Sequence, residues 1–318
     1  MKIGVLTSGG DAPGMNATIR SVVRQTIADG HISIGFFEGF RGLIDYDFID
    51  FSVGDVSGII DRGGTMLRTS RCVEFLDPPT QEKVANRLLK NGIKHLVVIG
   101  GDGSCHGASV LNDLGLHVVA VPASIDDDLY GTDTSIGFDT ALNTVIDNLS
   151  KIRDTASALE RVFVVEVMGR NSGAIALYSG LTGGADNIFL PGESYNIDDI
   201  CESIDKGFRR GKGHSLTVVA EGAGSAYDIG ERIKKCSGFD VKITILGHIQ
   251  RGGSPSARDR FAASVLGSEA SKILIGGGSG VMVGLNNDVA VPIPFQDVMT
   301  RGRELDLKLI DLAKTLSI

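Results

Sequence analysis

The chain has 318 residues, of which 43 are glycine and 8 are proline, with 42% hydrophobic and 22% charged residues. The hydrophobic and charged shares are typical of a packed globular protein of about two domains, whereas glycine is about twice as frequent as usual. Because proline is not raised, a disordered Gly/Pro-rich chain is excluded. The formal net charge of −8 argues against a broad nucleic-acid surface, but it leaves room for local basic pockets that bind small phosphorylated ligands.

In chain order, the hydrophobic pattern predicts a strand at residues 2–6, a helix at 16–29, a strand at 34–37, a helix at 80–91, strands at 95–99 and 118–121, a helix at 138–155, strands at 161–167 and 188–190, a helix at 198–209, strands at 216–220 and 243–246, a helix at 258–275, a strand at 281–283 and a helix at 304–316. Short strands of nearly continuous apolar character that alternate with helices are typical of an α/β fold with mostly parallel sheets. The long helix that begins at residue 138 is a candidate point for a change of domain.

The cysteines and the N-terminus bear on the compartment. The four cysteines (Cys72, Cys105, Cys201 and Cys236) are far apart and include no C-x-x-C pair, so we expect thiols rather than disulfides or a zinc site. The apolar run at residues 3–6 is too short for a signal peptide, and no apolar stretch approaches 18 residues. We therefore expect a cytoplasmic protein without a membrane span.

Polar and glycine-rich loops follow five of the predicted strands. These loops are Thr7-Ser8-Gly9-Gly10-Asp11, Gly100 to Ser104, Ser124-Ile125-Asp126-Asp127-Asp128, Met168-Gly169-Arg170 and Glu221-Gly222. Because open parallel sheets bind ligands at the carboxyl ends of their strands, the five loops predict one composite cleft.

Two of these loops contain Gly-Gly-Asp, at Gly9-Gly10-Asp11 and Gly100-Gly101-Asp102. Adjacent glycines expose backbone N–H groups that can hold phosphate, and an acidic residue beside them can hold Mg²⁺. The alternative is a pair of strand-to-helix turns in which Asp caps the helix. Neither G-x-x-x-x-G-K-[ST] nor G-x-G-x-x-G occurs, which excludes a Walker-type NTPase and a standard dinucleotide fingerprint.

Asp126, Asp127 and Asp128 are three consecutive carboxylates after a strand. A carboxylate near a metal and a substrate hydroxyl can serve as the general base of phosphoryl transfer. The alternative is a solvated acidic turn.

Cationic side chains cluster beside glycine pairs or on one helix face. Arg20 and Arg24 are spaced i,i+4, and His248 and Arg251 precede Gly252-Gly253. Arginine suits bidentate phosphate binding, although a single arginine is more often part of a surface ion pair.

Over nearly its whole length the sequence resembles the bacterial ATP-dependent 6-phosphofructokinases. The stretches that carry the resemblance are Leu6-Thr-Ser-Gly-Gly-Asp-Ala-Pro-Gly-Met-Asn16, Val97-Val-Ile-Gly-Gly-Asp-Gly-Ser104, Ser124-Ile-Asp-Asp-Asp128, Val165-Glu-Val-Met-Gly-Arg170 and Leu246-Gly-His-Ile-Gln-Arg-Gly-Gly-Ser254.

The resemblance implies two Rossmann-like three-layer α/β domains with mostly parallel sheets, the active site in the cleft between them, and a homotetramer. It implies an ATP-binding domain at residues 1–138 plus about 251–301, and a fructose 6-phosphate-binding domain at 139–250 plus about 302–318. The implied reaction is glycolytic: ATP and fructose 6-phosphate give ADP and fructose 1,6-bisphosphate.

The resemblance also assigns the nucleotide site, with Asp102 in binding Mg²⁺ and Phe40 near adenine. The residues matched to ATP contacts are Gly10, Arg71, Cys72, Gly101, Asp102, Gly103, Ser104 and Gly107. In pyrophosphate-using relatives an Asp usually stands at the position of Gly103 and a Lys at that of Ala123, so this chain is expected to use ATP.

For the sugar site, the resemblance makes Asp126 the base that takes the proton of the C1 hydroxyl, with Ser124 and Asp128 flanking it and Arg170 steadying the transferred charge. The remaining matched sugar-phosphate residues are Arg161, Met168, Gly169, Glu221, Lys242, His248 and Arg251, of which Arg161 and Lys242 act across a subunit interface. Two positions depart from the family pattern: Asp127 stands for the usual Asn, and Lys242 for the usual Arg.

An effector site for ADP or phosphoenolpyruvate between subunits is matched only in part. The matching residues are Arg20, Arg24, Arg153, Asp186, Arg210, Lys212 and His214. Val53, Gly58 and Gly213 replace a common Arg, Asp and Lys, which predicts weak or altered allostery.

Two alternatives remain open at this stage. The first is a kinase of another sugar phosphate, tagatose 6-phosphate or sedoheptulose 7-phosphate, which Asp127 and Lys242 suggest. The second is a weakly active or inactive paralogue that binds nucleotide as a regulatory subunit. ATP binding without turnover would distinguish the second alternative.

Overall fold

The computed structural model describes residues 1–316, which fall into two compact units. Unit 1 contains Met1–Thr140 and Arg251–Arg303, and unit 2 contains Ala141–Gln250 and the residues from Glu304 onward. The last two residues of the predicted second domain, Ser317 and Ile318, lie outside the described residues.

Strands and helices largely alternate along the chain. The strands are β1 (Lys2–Thr7), β2 (Ile32–Phe36), β3 (Phe48–Phe51), β4 (His95–Gly100), β5 (His117–Pro122), β6 (Val162–Val167), β7 (Asn187–Phe189), β8 (Ser215–Ala220), β9 (Val241–Ile245), β10 (Val281–Asn286) and β11 (Val289–Pro294). The helices are α1 (Met15–Ala28), α2 (Phe40–Asp45), α3 (Pro78–Lys90), α4 (Asp102–Asp113), α5 (Phe138–Leu159), α6 (Ala174–Thr182), α7 (Ile197–Arg209), α8 (Ala226–Ser237), α9 (Ala257–Ile275), α10 (Phe295–Thr300) and α11 (Lys308–Leu316). Across residues 1–316, every helix is too short or too polar to span a bilayer.

Within the described part of unit 1, seven strands form one sheet in the order β11-β10-β5-β4-β1-β2-β3. The strands from β10 to β2 pair in parallel, and the two edge strands, β3 and β11, pair antiparallel to their neighbours. The inner strands are buried along nearly their whole length, which explains their continuous apolar sequences.

Helices cover both faces of this sheet. Alternate residues of a strand point to opposite faces. One face of the sheet, with Leu6, Phe36 and Val98, forms a core with α3, α4 and α10. On the other side, α1 and α9 pack together, where Ser21 Oγ donates to the Ser264 carbonyl at 2.6 Å. Unit 1 is therefore a three-layer α/β unit.

Unit 2 has a smaller sheet whose four described strands run parallel in the order β7-β8-β6-β9. Helices α7 and α8 share a core with β6 and β8 that includes Val164, Ile204, Val219 and Ile233. The helix α6 packs against α11, β7 and β8. The expected α/β fold with mostly parallel sheets is confirmed.

Several elements differ from the prediction for local reasons. The helix predicted at 304–316 begins only at Lys308, whose N–H donates to the Asp306 carboxylate at 3.1 Å. The helix predicted at 80–91 begins at Pro78, because proline suits a first turn and Asp77 caps it. The pattern missed α2, α4, α6, α8 and α10, and the edge strands β3 and β11.

The expectation of four thiols is wrong for one pair. Cys201 on α7 and Cys236 on α8 are joined as a disulfide, with a Cα–Cα distance of 6.2 Å. The packing of α7 on α8 brings together two residues 35 positions apart, which spacing alone does not reveal. Cys72 and Cys105 are free thiols.

A buried carboxylate fixes the point where the chain first leaves unit 1. Asp259, in the first turn of α9, is fully buried and accepts hydrogen bonds from the N–H groups of Gly137 and Thr140, both at 2.8 Å, and from the Thr140 hydroxyl. It thereby caps the first turn of α5 from another helix. Burial raises the pKa of Asp259 from 3.8 to about 6, against the opposing effect of these hydrogen bonds.

The pKa of Asp259 predicts a pH-dependent contribution to stability. Because the folded pKa of about 6 lies above the ordinary 3.8, the folded protein holds this proton more tightly than the unfolded chain. The free energy of unfolding therefore falls as pH rises from 3.8 through 6. We expect the Tm of the wild type minus that of Asp259→Asn to fall by roughly 5 °C between acidic and neutral pH.

The exposed Asp113, at the end of α4, provides the matched control. Asp113→Asn should change Tm by the same small amount at both pH values. A Tm difference for Asp259→Asn that is constant across this range would contradict the assignment.

Candidate active site

The two Gly-Gly-Asp loops follow neighbouring strands at the centre of the unit 1 sheet. From β1 the chain continues to β2 on one side, whereas β4 pairs with β1 on the other side. The direction of winding therefore reverses between β1 and β4, and ligands of open α/β sheets bind at the carboxyl ends beside such a reversal. The loops after β1 and β4 occupy that place.

These two loops approach each other closely. The Ser8 N–H donates to the Ile99 carbonyl at 2.9 Å. A Cβ on Gly100 would lie 2.5 Å from the Ser8 carbonyl oxygen and would also overlap the Ser104 hydroxyl. Since real Cβ atoms do not approach backbone this closely, glycine is required where the loops meet.

The second loop leads directly into α4. Gly101 precedes the helix, Asp102 is its first residue, and the Gly103 Cα faces open space. The first N–H groups of a helix lack partners within it and attract anions. Asp102 and Gly103 are exposed, whereas Ser104 is buried. The loop thus offers backbone donors and an exposed carboxylate side by side.

Arg251 lies against the first loop. Its Nη1 donates to the Asp11 carbonyl at 3.3 Å, and a Cβ on Gly10 would overlap its guanidinium group. In the sequence Arg251 stands three residues after His248, but the boundary between the two units falls between Gln250 and Arg251. His248 is therefore an exposed residue of unit 2. The structure therefore places a cation beside the backbone of the first glycine loop.

Aromatic side chains line the side of α4 near its first turns. The Phe40 ring lies against Gly107, where a Cβ would overlap it, and stacks on Phe75 with a centroid distance of 4.4 Å. Cys72 is half-buried next to this core, and burial raises the pKa of its thiol. The neighbouring Arg71 is exposed.

The acidic loop after β5 is tied to the second glycine loop. The Ala123 N–H donates to the Gly100 carbonyl at 2.9 Å, and the Asp126 N–H donates to the Ser124 hydroxyl at 3.2 Å. Asp126 and Asp127 are 3% and 1% exposed, so this loop is not a solvated acidic turn. Asp128 is half-buried.

Asp127 is the most confined of the three carboxylates. Its Oδ1 accepts from the Ser135 N–H at 2.7 Å and lies 2.8 Å from Arg303 Nη1. Burial raises its pKa from 3.8 to about 6, while Arg303 and the Ser135 hydrogen bond act in the opposite direction. The sequence contains no local signal for Arg303, which reaches the loop from a distant segment.

In unit 2, the loops after β6 and β8 come together. The Arg170 N–H donates to Glu221 Oε1 at 2.8 Å, and the Glu221 N–H donates to the Val167 carbonyl at 2.9 Å. The Met168 N–H donates to Gln250 Oε1 at 3.2 Å, so the buried Gln250 orients this loop, a role that motif reading missed. The loops that carry Met168, Gly169, Arg170 and Glu221 therefore adjoin each other in unit 2.

Arg161 and Lys242 also lie close together in unit 2, at the opposite ends of β6 and β9 from those loops. Asp240 Oδ2 lies 3.0 Å from Arg161 Nε and 3.2 Å from Lys242 Nζ. One carboxylate thus holds both cations, which are matched to sugar-phosphate contacts. Sequence reading did not identify Asp240.

Five of the residues matched to the effector site lie in unit 2. Lys212 forms an ion pair with Asp186, His214 Nδ1 lies 2.9 Å from the Ser157 hydroxyl, and burial lowers the pKa of His214. Asp186, Arg210, Lys212 and His214 line a cavity of about 20 Å³. Arg153 approaches Gly184 nearby, whereas Arg20 and Arg24 belong to α1 in unit 1.

The sequence profile of the family described as phosphofructokinase matches residues 2–274. The chain belongs to the phosphofructokinase family. It is 50% identical over 317 residues to the ATP-dependent 6-phosphofructokinase of Bacillus cytotoxicus, covering 100% of this chain and 99% of that protein.

Solved phosphofructokinases share the fold. The Saccharomyces cerevisiae enzyme superposes with a TM-score of 0.88 at 34% identity over 93% of this chain and 44% of that one. The Pichia pastoris enzyme in the T-state gives a TM-score of 0.89 at 33% identity over 99% of this chain and 36% of that one. These likenesses support two Rossmann-like domains.

The contact at Gly100 predicts an unequal response to two alanine substitutions in the same loop. Gly100→Ala should lower Tm by several degrees, since its Cβ must push the Ser8 backbone away from β4. Gly103→Ala should keep Tm or raise it slightly, because its Cβ meets open space and alanine favours the helix. Thermal unfolding of both variants tests this, and equal Tm values would contradict it.

Proposed function

We propose that the protein is an ATP-dependent 6-phosphofructokinase that transfers the γ-phosphoryl group of ATP to the C1 hydroxyl of fructose 6-phosphate. The observation that carries the proposal is the buried Asp126, on a loop tied to the glycine loop beside the chain reversal. The curated Bacillus relative, named an ATP-dependent 6-phosphofructokinase, supports the same reaction.

We assign nucleotide binding to the loops after β1 and β4. Backbone N–H groups at Gly10 and at the start of α4 meet phosphates, and the Phe40–Gly107 contact borders the adenine side. The open space at Gly103 and the small Ala123 support ATP as the donor rather than pyrophosphate. Arg71 and Arg251 supply positive charge for the phosphates or the sugar phosphate.

The residues present fit a magnesium ion. Asp102 is an exposed carboxylate beside the backbone donors of the second loop, and Mg²⁺ in kinases is held by one or two carboxylates together with substrate phosphates. Among residues 1–316 no group of three or more metal-binding side chains gathers, which agrees with a metal held largely by ATP. When bound, the ion neutralises charge that develops on the transferred phosphoryl group.

Asp126 is assigned as the general base. Its carboxylate accepts the proton of the C1 hydroxyl while that oxygen attacks the γ-phosphorus, and the Ser124 hydroxyl fixes the backbone of Asp126. Arg170 stabilises the negative charge of the transition state. Met168, Gly169 and Glu221 hold the sugar, while Ser124 and Asp128 border the base.

We assign the sugar 6-phosphate to His248 and Arg251, joined by Arg161 and Lys242 from a neighbouring subunit. Lys242 offers a point charge without the planar fork of arginine, and Asp240 already pairs with it. Which sugar phosphate accepts the phosphoryl group is therefore tested by comparing the kcat/KM values of fructose 6-phosphate, tagatose 6-phosphate and sedoheptulose 7-phosphate in competition.

Regulation and assembly form a further part of the proposal. We propose a homotetramer in which Arg20, Arg24 and the unit 2 group of Arg153, Asp186, Arg210, Lys212 and His214 bind ADP or phosphoenolpyruvate. The exposed, apolar Val53 stands where the family commonly has an arginine, so the proposed effector site has one cation fewer. The ion pair with Asp186 also neutralises the charge of Lys212. Effector binding should therefore be weak.

Replacing the base tests the reaction directly. Asp126→Ala should lower kcat by about 10²–10⁴-fold because the attacking hydroxyl loses its proton acceptor, while ATP binding stays within a factor of about two. A coupled assay that follows ADP release measures kcat, and calorimetry measures ATP affinity. Asp113→Ala, which removes an exposed carboxylate, is the control. Undiminished turnover in Asp126→Ala would disprove the role, and ATP binding without turnover in the wild type would favour a regulatory paralogue.

The reduced effector site predicts hyperbolic saturation. Initial rates against fructose 6-phosphate should give a Hill coefficient near that of independent sites, with phosphoenolpyruvate raising the half-saturating concentration by less than about fivefold. Strongly sigmoidal curves in the presence of phosphoenolpyruvate would contradict this.

A further inference from the structure

We propose that Arg303 is a positioning residue: its ion pair with Asp127 holds the loop that carries Asp126 in the geometry needed for phosphoryl transfer. This inference rests on the proposed kinase function and goes beyond it, because Arg303 itself is assigned no contact with substrate.

Arg303 contacts the loop at three points. Its Nη1 lies 2.8 Å from Asp127 Oδ1 and donates to the Thr132 carbonyl at 3.1 Å. Its Nη2 donates to the Asp133 carbonyl at 2.6 Å. The Arg303 side chain is 19% exposed, so water competes little for these contacts. One side chain thereby joins the start of the loop, next to Asp126, to the part that turns back toward α5.

Asp127 depends on this partner. Its carboxylate is 1% exposed, and Oδ2 has no hydrogen-bond partner within the described chain. A carboxylate so deeply buried needs an opposite charge nearby. Arg303 supplies one, with its Nη1 2.8 Å from Asp127 Oδ1.

The later part of the same loop is held by hydrogen bonds to β10. The Asp133 N–H donates to the Leu285 carbonyl at 2.7 Å, and the Leu285 N–H donates to the Thr132 hydroxyl at 3.0 Å, so residues 132 and 133 are fixed to β10. Leu129 also pairs with Gly302, directly before Arg303. Arg303 therefore connects the segment around Asp127 to a segment that is hydrogen-bonded to β10.

Three variants separate an ion pair from simple packing. Removing Arg303 alone leaves a buried carboxylate without its cation, which is strongly destabilising, whereas neutralising both partners removes the charge problem. We therefore compare Arg303→Ala, Asp127→Asn and the double variant Arg303→Ala/Asp127→Asn. Arg301→Ala is the matched control, since Arg301 lies two residues away and touches Tyr130 of the same loop, but is 57% exposed.

Steady-state kinetics give the first readout. Arg303→Ala should lower kcat by at least about tenfold while the KM for ATP changes by less than about twofold, because the glycine loops keep their own contacts. The double variant should turn over faster than Arg303→Ala, and Arg301→Ala should stay within about twofold of the wild type. Arg303→Lys keeps the charge but loses the planar guanidinium group that reaches three oxygens of the loop. Its kcat should therefore lie between those of the wild type and Arg303→Ala.

Thermal unfolding of the same proteins gives a readout that needs no activity. The Tm losses of the two single variants should not add in the double variant, which shows coupling between neighbours. Wild-type turnover is measured first, and a lack of kinase activity would count against the proposed function. In that case the Tm values of the single and double variants still test the ion pair. Turnover of Arg303→Ala equal to that of Arg301→Ala, or a double variant no faster than Arg303→Ala, would overturn the positioning role.

Discussion

The close approach of the ends of β1 and β4 is the constraint on which the proposed nucleotide site of unit 1 depends. No side chain fits between Gly100 and the Ser8 carbonyl, so the two loops after these strands share one space. The helix α4 begins at Asp102, two residues after this contact, and the hydrogen bond from Ala123 to Gly100 ties the start of the acidic loop to the same point. The proposed phosphate-binding loops and the loop of the proposed base thus depend on one close contact in the sheet.

The inner strands β1, β4 and β5 were predictable because both of their faces are buried, which requires a continuous run of apolar residues. The edge strands β3 and β11 were missed because one side of each lacks a partner strand and their residues are more exposed. The helix α4 was missed because its glycine, serine and histidine residues give weak local helical signals, and tertiary contacts stabilise it instead.

The candidate site divides in the same way. Glycine pairs, Asp102, Asp126 and Arg170 stand in contiguous motifs, so the sequence identified them, and the resemblance supplied their roles. Arg303, Asp240 and Gln250 act through contacts made only in the folded chain and carry no motif. The extra negative charge of Asp127 was evident from the sequence, but its balancing cation was not, because a distant segment supplies Arg303.

The discontinuous composition of unit 1 has a consequence for the order in which the newly made chain can fold. The unit 2 sheet uses strands between Val162 and Ile245 and can close once that stretch is available. In unit 1, β5 lacks its neighbour β10 until residues up to Asn286 have been synthesised. During that interval β5 presents an open, apolar edge of the kind that pairs with other chains. The half of the protein that begins at the N-terminus is thus the one that completes its sheet last during biosynthesis.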